Sequence, residues 1–112
     1  MSEEQRVASD RRLGPRKQVT LEVLVNDRNR GAKSCQTRDI SLDGAFIQTN
    51  HVALKKKAKI ELILKIPSNR GPTDHPIKAK VTSVEKHGAT VIFGNLQEQT
   101  YKALVDLLYP KE

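Results

Sequence analysis

Two short groups of residues in the first half of the chain have the types and order needed to hold a ligand that carries both phosphate and guanine. The first is the run Arg11–Arg16, which contains three arginines, and the second is the run Asp39–Gly44. A planar guanidinium can bind a phosphate, lie flat on a base, or donate two hydrogen bonds to the adjacent acceptors of guanine. A carboxylate such as Asp39 has two acceptor oxygens that match the donor edge of guanine. Together, the two groups predict nucleotide binding.

Ser41 and Gly44 extend the second group. In an extended segment Ser41 lies on the same side as Asp39, so its hydroxyl could bond to a phosphate or to the base amine. Gly44 either permits a turn with positive φ or lets a ligand approach the backbone closely. Each group alone has a simpler explanation, since a basic run is usually a solvated tail and Asp-x-Ser-x-x-Gly is often a turn into a hairpin. Their order and their separation by a strand hairpin favour the binding interpretation.

The arginines lie in a segment that shows no sign of regular structure. Residues from Met1 to about Lys17 are polar, include Gly14 and Pro15, and have neither a helical nor a strand-like hydrophobic period. This composition predicts a flexible N-terminal arm over residues 1–17. The scaffold must then come from residues 18–112.

Alternating apolar residues in that scaffold predict short strands separated by turns. Six such segments are visible, at Val19–Val25, Ala32–Arg38, Ala45–Thr49, Ile60–Ile66, Ile77–Val81 and Thr90–Phe93. The proline-rich and polar run Pro67–Pro76 predicts a long exposed loop.

One amphipathic helix is predicted after the last strand. Asn95 can cap it with Glu98 three residues on, and Pro110 ends it. Its apolar face comprises Tyr101, Leu104, Val105 and Leu108. Short strands followed by one such helix fit a mainly β fold, a six-stranded antiparallel barrel whose end or side is covered by the helix.

Composition limits the kinds of function open to the chain. A chain of 112 residues is long enough for one domain with a modest core. The formal net charge of +7 favours anionic partners. One cysteine rules out an internal disulfide, and the charged N-terminus does not resemble a signal peptide. With no apolar stretch of transmembrane length, we expect a soluble cytoplasmic protein.

Catalytic and metal-binding arrangements are not apparent in the sequence. His51, His75 and His87 lie on separate segments without metal-ligand spacing, so surface or loop positions are expected for them. No nucleophile and base pair or phosphate-cradling glycine loop is recognisable, and we therefore predict no enzyme activity, no metal and no cofactor.

Several other residues have simple structural interpretations. Cys35 is predicted to be a small buried hydrophobe, and the run Lys55–Lys57 a solvated turn, although that run could also meet a phosphate or an acidic partner. Arg38 could reach a ligand phosphate or face water. Three aromatic residues lie on apolar periods and are predicted to be in the core: Phe46, Phe93 and Tyr101. Tyr109 is predicted to seal the helix against the barrel.

The two groups together resemble the signatures of the PilZ domain, the bacterial receptor module for cyclic di-GMP. The RxxxR signature is present at Arg12–Arg16 and the [D/N]xSxxG signature at Asp39–Gly44, and the resemblance covers about Arg11 to Tyr109. It implies a six-stranded antiparallel barrel with a C-terminal helix, in agreement with the strands counted above.

The resemblance also implies roles for individual residues. Arg12 and Arg16 would grip phosphates and guanine, Asp39 would read the donor edge of a guanine, Ser41 would contact the ligand, and Gly44 would shape the turn. These roles make the arm and the strand end one cyclic di-GMP site.

Two further positions bear on how the ligand would bind. In this family a basic residue directly before RxxxR accompanies an intercalated pair of ligand molecules, so Arg11 implies two per protein. Similar sequences often carry a second glycine two residues after the position of Gly88, where this chain has Thr90.

The energetics of the arm suggest how such a receptor would switch. Ordering about eight residues costs on the order of 10 kcal/mol of backbone entropy. Each charge-assisted hydrogen bond to the ligand contributes about 1.5–3 kcal/mol of favourable free energy. Because ordering the arm consumes most of this free energy, little net binding free energy remains. We expect a loose arm without nucleotide, an ordered arm with it, and a surface for a partner protein as the output.

Three functions follow as alternatives. The leading one is a stand-alone cyclic di-GMP effector that acts on a partner in motility, pilus assembly, exopolysaccharide synthesis or virulence. The second is a basic small barrel that binds nucleic acid, which the aromatic content of 4% disfavours because such modules stack bases on exposed rings. The third is a PilZ-fold adaptor without nucleotide binding, against which the intact arginines and Asp39 weigh.

Overall fold

A computed structural model describes residues 17–27, 31–49 and 53–110 of the chain, and these form a closed antiparallel barrel with one helix. The strands are β1 (Glu22–Asp27), β2 (Gly31–Ile40), β3 (Gly44–Gln48), β4 (Lys59–Ile66), β5 (Thr73–Glu85) and β6 (Gly88–Phe93), followed by helix α1 (Glu98–Leu108). Around the barrel their order is β1-β2-β3-β6-β5-β4, closed by pairing of β1 with β4. The predicted fold is confirmed. The predicted arm, except Lys17, lies outside the described residues.

Strict alternation along the strands sends one row of side chains into the barrel. On β4, Ile60, Leu62, Leu64 and Ile66 are all buried while their neighbours are exposed or half-buried. Successive strand residues point to opposite faces, which is why this pattern identifies the inner row. Burying each such side chain stabilises the fold by about 1.5–3 kcal/mol.

Helix α1 adds a second apolar layer to the core. Its buried residues are Thr100, Leu104 and Leu108, which are four apart and therefore lie along one line of the helix. The predicted positions of Leu104 and Leu108 are confirmed. Tyr101 is 48% exposed, so its predicted core position is wrong. It lies one residue, or about 100°, further round the helix than Thr100.

The helix begins later than predicted. Its N-cap is Gln97, in extended conformation and without a side-chain hydrogen bond to the cap. Asn95 comes too early to cap it, because the chain is still attached to the sheet there: the Gly94 N–H donates to the carbonyl oxygen of Lys78 at 2.7 Å.

Strand β5 also begins earlier than predicted, at Thr73, so the expected loop Pro67–Pro76 is shortened to its first six residues. Pro76 is tolerated within the strand because β5 pairs only with β4 there, at Ile63, and pairing with β6 starts at Ala79. A proline lacks an N–H and is therefore confined to stretches where a strand has a free side.

His75 is buried between the barrel and the helix, so the predicted surface position is wrong. Only 7% of the residue is exposed. Its Nε2 lies 2.8 Å from the Thr73 hydroxyl and its Nδ1 lies 3.1 Å from the hydroxyl of Thr100 on α1. The sequence signal was ambiguous, since a histidine is common both in loops and in hydrogen-bonded cores.

Cys35 is 4% exposed and joins the hydrophobic core, as predicted. Burial raises the pKa of its thiol, because the charged thiolate would be poorly solvated in the barrel. The predicted core position of Phe93 is also confirmed, at 8% exposed. Residues 55–57 form an exposed turn, as expected.

Candidate functional site

A β-bulge at the end of β2 determines which way its charged residues point. Pairing with β3 shifts register between Thr37 and Asp39, so that Thr37 faces Ile47 and Asp39 faces Phe46. Plain alternation would put Arg38 outside and Asp39 inside. With the extra residue, Thr37 and Ile40 are buried while Arg38 is exposed and Asp39 half-buried. The bulge therefore brings both charged side chains to the outer face.

Arg38 and Asp39 form an ion pair on that face. Nε of Arg38 donates to Oδ2 of Asp39 at 3.2 Å, and the two side chains are 51% and 14% exposed. The guanidinium lies over the ring of Phe46, with its central carbon 3.7 Å from the ring centroid. Stacking orients the plane of the guanidinium, and about half of the side chain remains exposed to solvent.

Phe46 is buried but lies outside the main core. Only 2% of it is exposed, as predicted, yet it does not belong to the hydrophobic cluster that fills the barrel. Its ring packs on the backbone of Gly88, where an added Cβ would lie 2.6 Å from Cε1 of the ring. Thr90 is the residue directly opposite Phe46 on β6. Arg38, Phe46, Gly88 and Thr90 thus share one outer patch across β2, β3 and β6.

The turn that follows β2 is stabilised by Ser41. Its hydroxyl accepts hydrogen bonds from the backbone N–H groups of Asp43 and Gly44, both at 3.2 Å, and only 1% of the residue is exposed. Ser41 therefore starts a turn instead of continuing the strand, so the expectation that it extends on the same side as Asp39 is wrong. Contact of Ser41 with a ligand stays a prediction.

Gly44 is required by a close approach of the next strand. An added Cβ would lie 2.2 Å from the carbonyl oxygen of Val91. Its φ is not positive, unlike that of Gly31 and Gly71, so the positive-φ explanation is wrong. The backbone that approaches Gly44 in this structure belongs to β6, which fixes the turn against the barrel.

Residues 17–21, which lead into β1, are attached along β2. Their first residue, Lys17, lies opposite Ile40, the neighbour of Asp39. Lys17 and Ile40 exchange two backbone hydrogen bonds, each 2.9 Å long. Further along, the Thr37 hydroxyl donates to the carbonyl of Val19 at 2.7 Å and accepts from the N–H of Leu21 at 2.8 Å. The Thr37 N–H also donates to the carbonyl of Leu21 at 2.9 Å, so five hydrogen bonds hold residues 17–21 against the same strand end that carries Arg38 and Asp39.

Lys17 also connects this segment to the helix. Its Nζ donates to the carbonyl oxygen of Leu108 and lies 4.8 Å from the centroid of the Tyr109 ring. A cation at the last carbonyls of a helix is favourable because the helix dipole is negative there. Tyr109 is 41% exposed, so it covers this contact only in part.

The structure brings together three of the six predicted site residues, Asp39, Ser41 and Gly44, within one strand end and turn. The other three, Arg11, Arg12 and Arg16, lie outside the described residues. Sequence reasoning left Arg38 undecided and did not place Phe46 on the outer face. The position of Phe46, two residues after Gly44, was the sequence feature that could have indicated this contact. The bulge that aligns Phe46 with Arg38 has no recognisable sequence pattern.

The described residues contain neither a metal-binding cluster nor a membrane-spanning helix. Within residues 17–27, 31–49 and 53–110, no group of three or more His, Cys, Asp or Glu side chains could hold a metal ion. In the same ranges, no helix is both long enough and apolar enough to span a membrane.

Several solved structures share the fold. A structure of the Bacillus subtilis inhibitor of motility MotI/DgrA superposes with a TM-score of 0.68 at 15% identity, covering 82% of this chain and 46% of that one. The PilZ domain of CeSA from a cellulose-synthesizing bacterium gives a TM-score of 0.65 at 14% identity, covering 86% and 96%. The chain thus spans less than half of the first protein. At these identities the likeness concerns the fold alone. No curated protein matches the sequence.

A family model provides the stronger relationship. The model of the PilZ domain matches residues 10–109, nearly the whole chain, and the match includes both signature runs. PilZ domains bind cyclic di-GMP as a ligand. The chain belongs to the PilZ domain family.

Proposed function

We propose that this chain is a cyclic di-GMP receptor that binds the nucleotide between its arginine segment and the outer end of β2. Arg11, Arg12 and Arg16 hold phosphates and the acceptor edge of guanine, and Asp39 accepts from the donor edge. Ser41 and Gly44 keep the turn beside the nucleotide in place.

One observation carries the proposal: the β-bulge at Thr37 to Asp39 turns Asp39 outward next to the attachment of Lys17. Arg16 directly precedes Lys17, and consecutive α-carbons are about 3.8 Å apart. Lys17 is hydrogen-bonded to Ile40, the neighbour of Asp39. Because Arg16 is the covalent neighbour of Lys17, we propose that the second arginine of RxxxR acts on the same ligand as the carboxylate.

We further propose that two intercalated cyclic di-GMP molecules bind per chain. Arg11 supplies a third guanidinium at the start of the signature, and Arg38 is 51% exposed beside Asp39. Four guanidinium groups suit the four phosphates of two dinucleotides, since each can bind a phosphate in bidentate fashion.

The output in this proposal is an ordered arm that a partner protein recognises. The chain then acts as a cytoplasmic effector rather than an enzyme, and its partner belongs to a process such as motility, pilus assembly, exopolysaccharide synthesis or virulence. The support is energetic: binding and ordering nearly cancel, so nucleotide can shift the arm between two states.

Calorimetric titration with cyclic di-GMP tests the proposal. The native chain is compared with Arg12→Ala and Asp39→Ala, and with Arg70→Ala and Asp106→Ala as matched controls on exposed residues away from β2. Losing a charge-assisted hydrogen bond worth about 1.5–3 kcal/mol should weaken binding by about 10- to 100-fold in the first pair.

The controls should bind as the native chain does, with two nucleotides per chain. Equal weakening in Arg12→Ala and Arg70→Ala, with unchanged or tighter binding in both aspartate variants, would indicate a non-specific charge effect and contradict the site. A ratio of one nucleotide per chain would contradict only the intercalated pair.

A further inference from the structure

A second basic surface lies on the barrel, and Asp39 is not among the residues that line it. A groove of about 540 Å³ crosses the outer face of β4, β5 and β6, and its lining includes Lys59, Lys78, Lys80 and Ile92. We call it the lysine groove. All three lysines are exposed, and Ile92 is 38% exposed, one of few large apolar side chains on the described surface.

The strand register places these cations close together. Lys59 lies directly opposite Lys80 on the paired strands β4 and β5, and on its other side Lys80 lies opposite Ile92 of β6. Side chains that face each other across a strand pair are about 5 Å apart at Cβ, and like charges so placed repel. The fold therefore maintains an unfavourable lysine pair beside an exposed isoleucine.

No carboxylate among the described residues neutralises this pair. Lys65 pairs with Asp74 and Lys102 with Glu98, each at 3.2 Å, whereas no ion pair within 4.0 Å joins the three groove lysines to a carboxylate in residues 17–27, 31–49 and 53–110. Glu61 lines the same groove and lies opposite Lys78 without closing such a pair. The lysine groove therefore combines three lysines without ion pairs to the described carboxylates and an exposed isoleucine on one surface.

The exposed turn at residues 55–57 lies beside this groove. The N–H of Lys57 donates to the carbonyl oxygen of Val81 at 2.7 Å, and Ala58 accepts from the N–H of Val81 at 2.8 Å. Residues 55–57 are thereby fixed next to Lys80. Lys57 has a φ of 73°, a conformation that glycine or asparagine adopts at lower cost than lysine.

We infer that the lysine groove docks an acidic segment of a partner protein, one in which an apolar side chain lies among carboxylates. The unpaired lysines match the carboxylates, and the exposed Ile92 matches the apolar side chain. Double-stranded nucleic acid would match the charge of the lysines. Its phosphate backbone, however, offers no apolar group that could cover Ile92. The inference goes beyond nucleotide binding and does not depend on it.

A labelled peptide tests the inference. The probe is a twelve-residue peptide of aspartate and glutamate with leucine at every third position, measured by fluorescence anisotropy at physiological ionic strength. The triple variant K59Q/K78Q/K80Q is compared with K33Q/K65Q/K102Q, which removes the same charge from exposed or half-buried lysines elsewhere. Affinity should fall about tenfold in the first variant, as three exposed ion pairs are lost, and less than about twofold in the second.

The apolar contact has its own control. Ile92→Ser should also weaken binding of the leucine peptide, and a peptide with serine in place of leucine should bind equally weakly to the native chain and to that variant. Equal losses in both lysine variants, tighter binding of a twelve-base-pair DNA duplex than of the peptide, or no peptide binding would each overturn the inference.

Nucleotide titration separates this surface from the proposed receptor site. K59Q/K78Q/K80Q should bind cyclic di-GMP as the native chain does, which would support two distinct surfaces. Loss of nucleotide binding together with peptide binding would place the lysines in the nucleotide site and overturn the docking role.

Discussion

At the residue scale, the types of the site residues could be predicted from the sequence, but their directions could not. Asp39 was identified because a carboxylate matches the donor edge of guanine. Its outward position depends on a bulge that adds one residue to β2. Simple alternation would have sent Asp39 into the barrel with Thr37, and would have left Arg38 without its place over Phe46.

For Gly44, too, the residue could be identified from the sequence but its structural role could not. Its presence in the signature was visible, whereas the reason for it, a carbonyl of β6 that leaves no room for a Cβ, required the structure. Gly44→Ala should lower the free energy of unfolding by about 1–3 kcal/mol, the usual cost of overpacking. Urea denaturation measures this. Gly31→Ala is the comparison, since its φ is 76° and open space surrounds it, so strain alone applies.

Gly44→Ala should also weaken binding of cyclic di-GMP, because the added Cβ forces the turn beside Asp39 to move away from β6. Gly31→Ala should leave binding unchanged. An alanine at 44 that leaves both stability and affinity as in the native chain would show that the close approach to β6 is not restrictive.

At the element scale, the strands with strict alternation were predicted well and the irregular ends were not. β4 was placed within one residue, because four apolar side chains alternate without interruption. The start of β5 was missed because Pro76 and His75 read as loop residues, although one lies where β5 has a single neighbour and the other is buried against α1. Contacts with segments distant in the sequence determine where β5 begins and why His75 is buried. Such contacts leave no pattern in the local sequence.

One hydroxyl, that of Thr37, makes two of the hydrogen bonds that attach residues 17–21 to β2. Thr37→Val keeps the shape of the side chain but removes the bonds to Val19 and Leu21, leaving a buried N–H and a carbonyl without this partner. Such groups cost about 1–3 kcal/mol each. Amide hydrogen exchange of Leu21 should accelerate. Affinity for cyclic di-GMP should fall because residues 17–21, which follow the arginine segment, are held less firmly against β2.

Thr82→Val serves as the control for this variant, because Thr82 is half-buried and its hydroxyl donates a long 3.3 Å bond to Thr90. It should change exchange at Leu21 very little. Unaltered exchange in Thr37→Val would mean that the backbone pairing of this segment suffices without the hydroxyl.

The helix is joined to the barrel by a polar contact within an apolar interface. Thr100→Val removes the hydroxyl that meets Nδ1 of His75, so the ring loses a partner in a buried setting. The melting temperature should fall by several degrees, as expected when about 1 kcal/mol is lost from a domain of this size. Thr100→Ser keeps the hydroxyl and should recover part of the loss. A melting temperature in Thr100→Val equal to that of the native chain would contradict this coupling.

At the scale of the whole molecule, charge was predicted but its arrangement was not. The net charge of +7 suggested anionic partners without distinguishing a nucleotide from an acidic protein. The barrel separates two basic surfaces, one at Arg38 and Asp39 and one at Lys59, Lys78 and Lys80. Both touch β6, where Thr90 lies opposite Phe46 and Ile92 lies opposite Gly44.

The most direct test of the receptor site is a titration of the isotope-labelled chain with cyclic di-GMP, followed by the chemical shifts of its backbone amides. The account predicts the largest changes at Lys17, at residues 38–44 and at Thr90, with little change at Arg70 or in helix α1 before its last turn. Shifts confined to the lysine groove, or no shifts at a saturating nucleotide concentration, would contradict it.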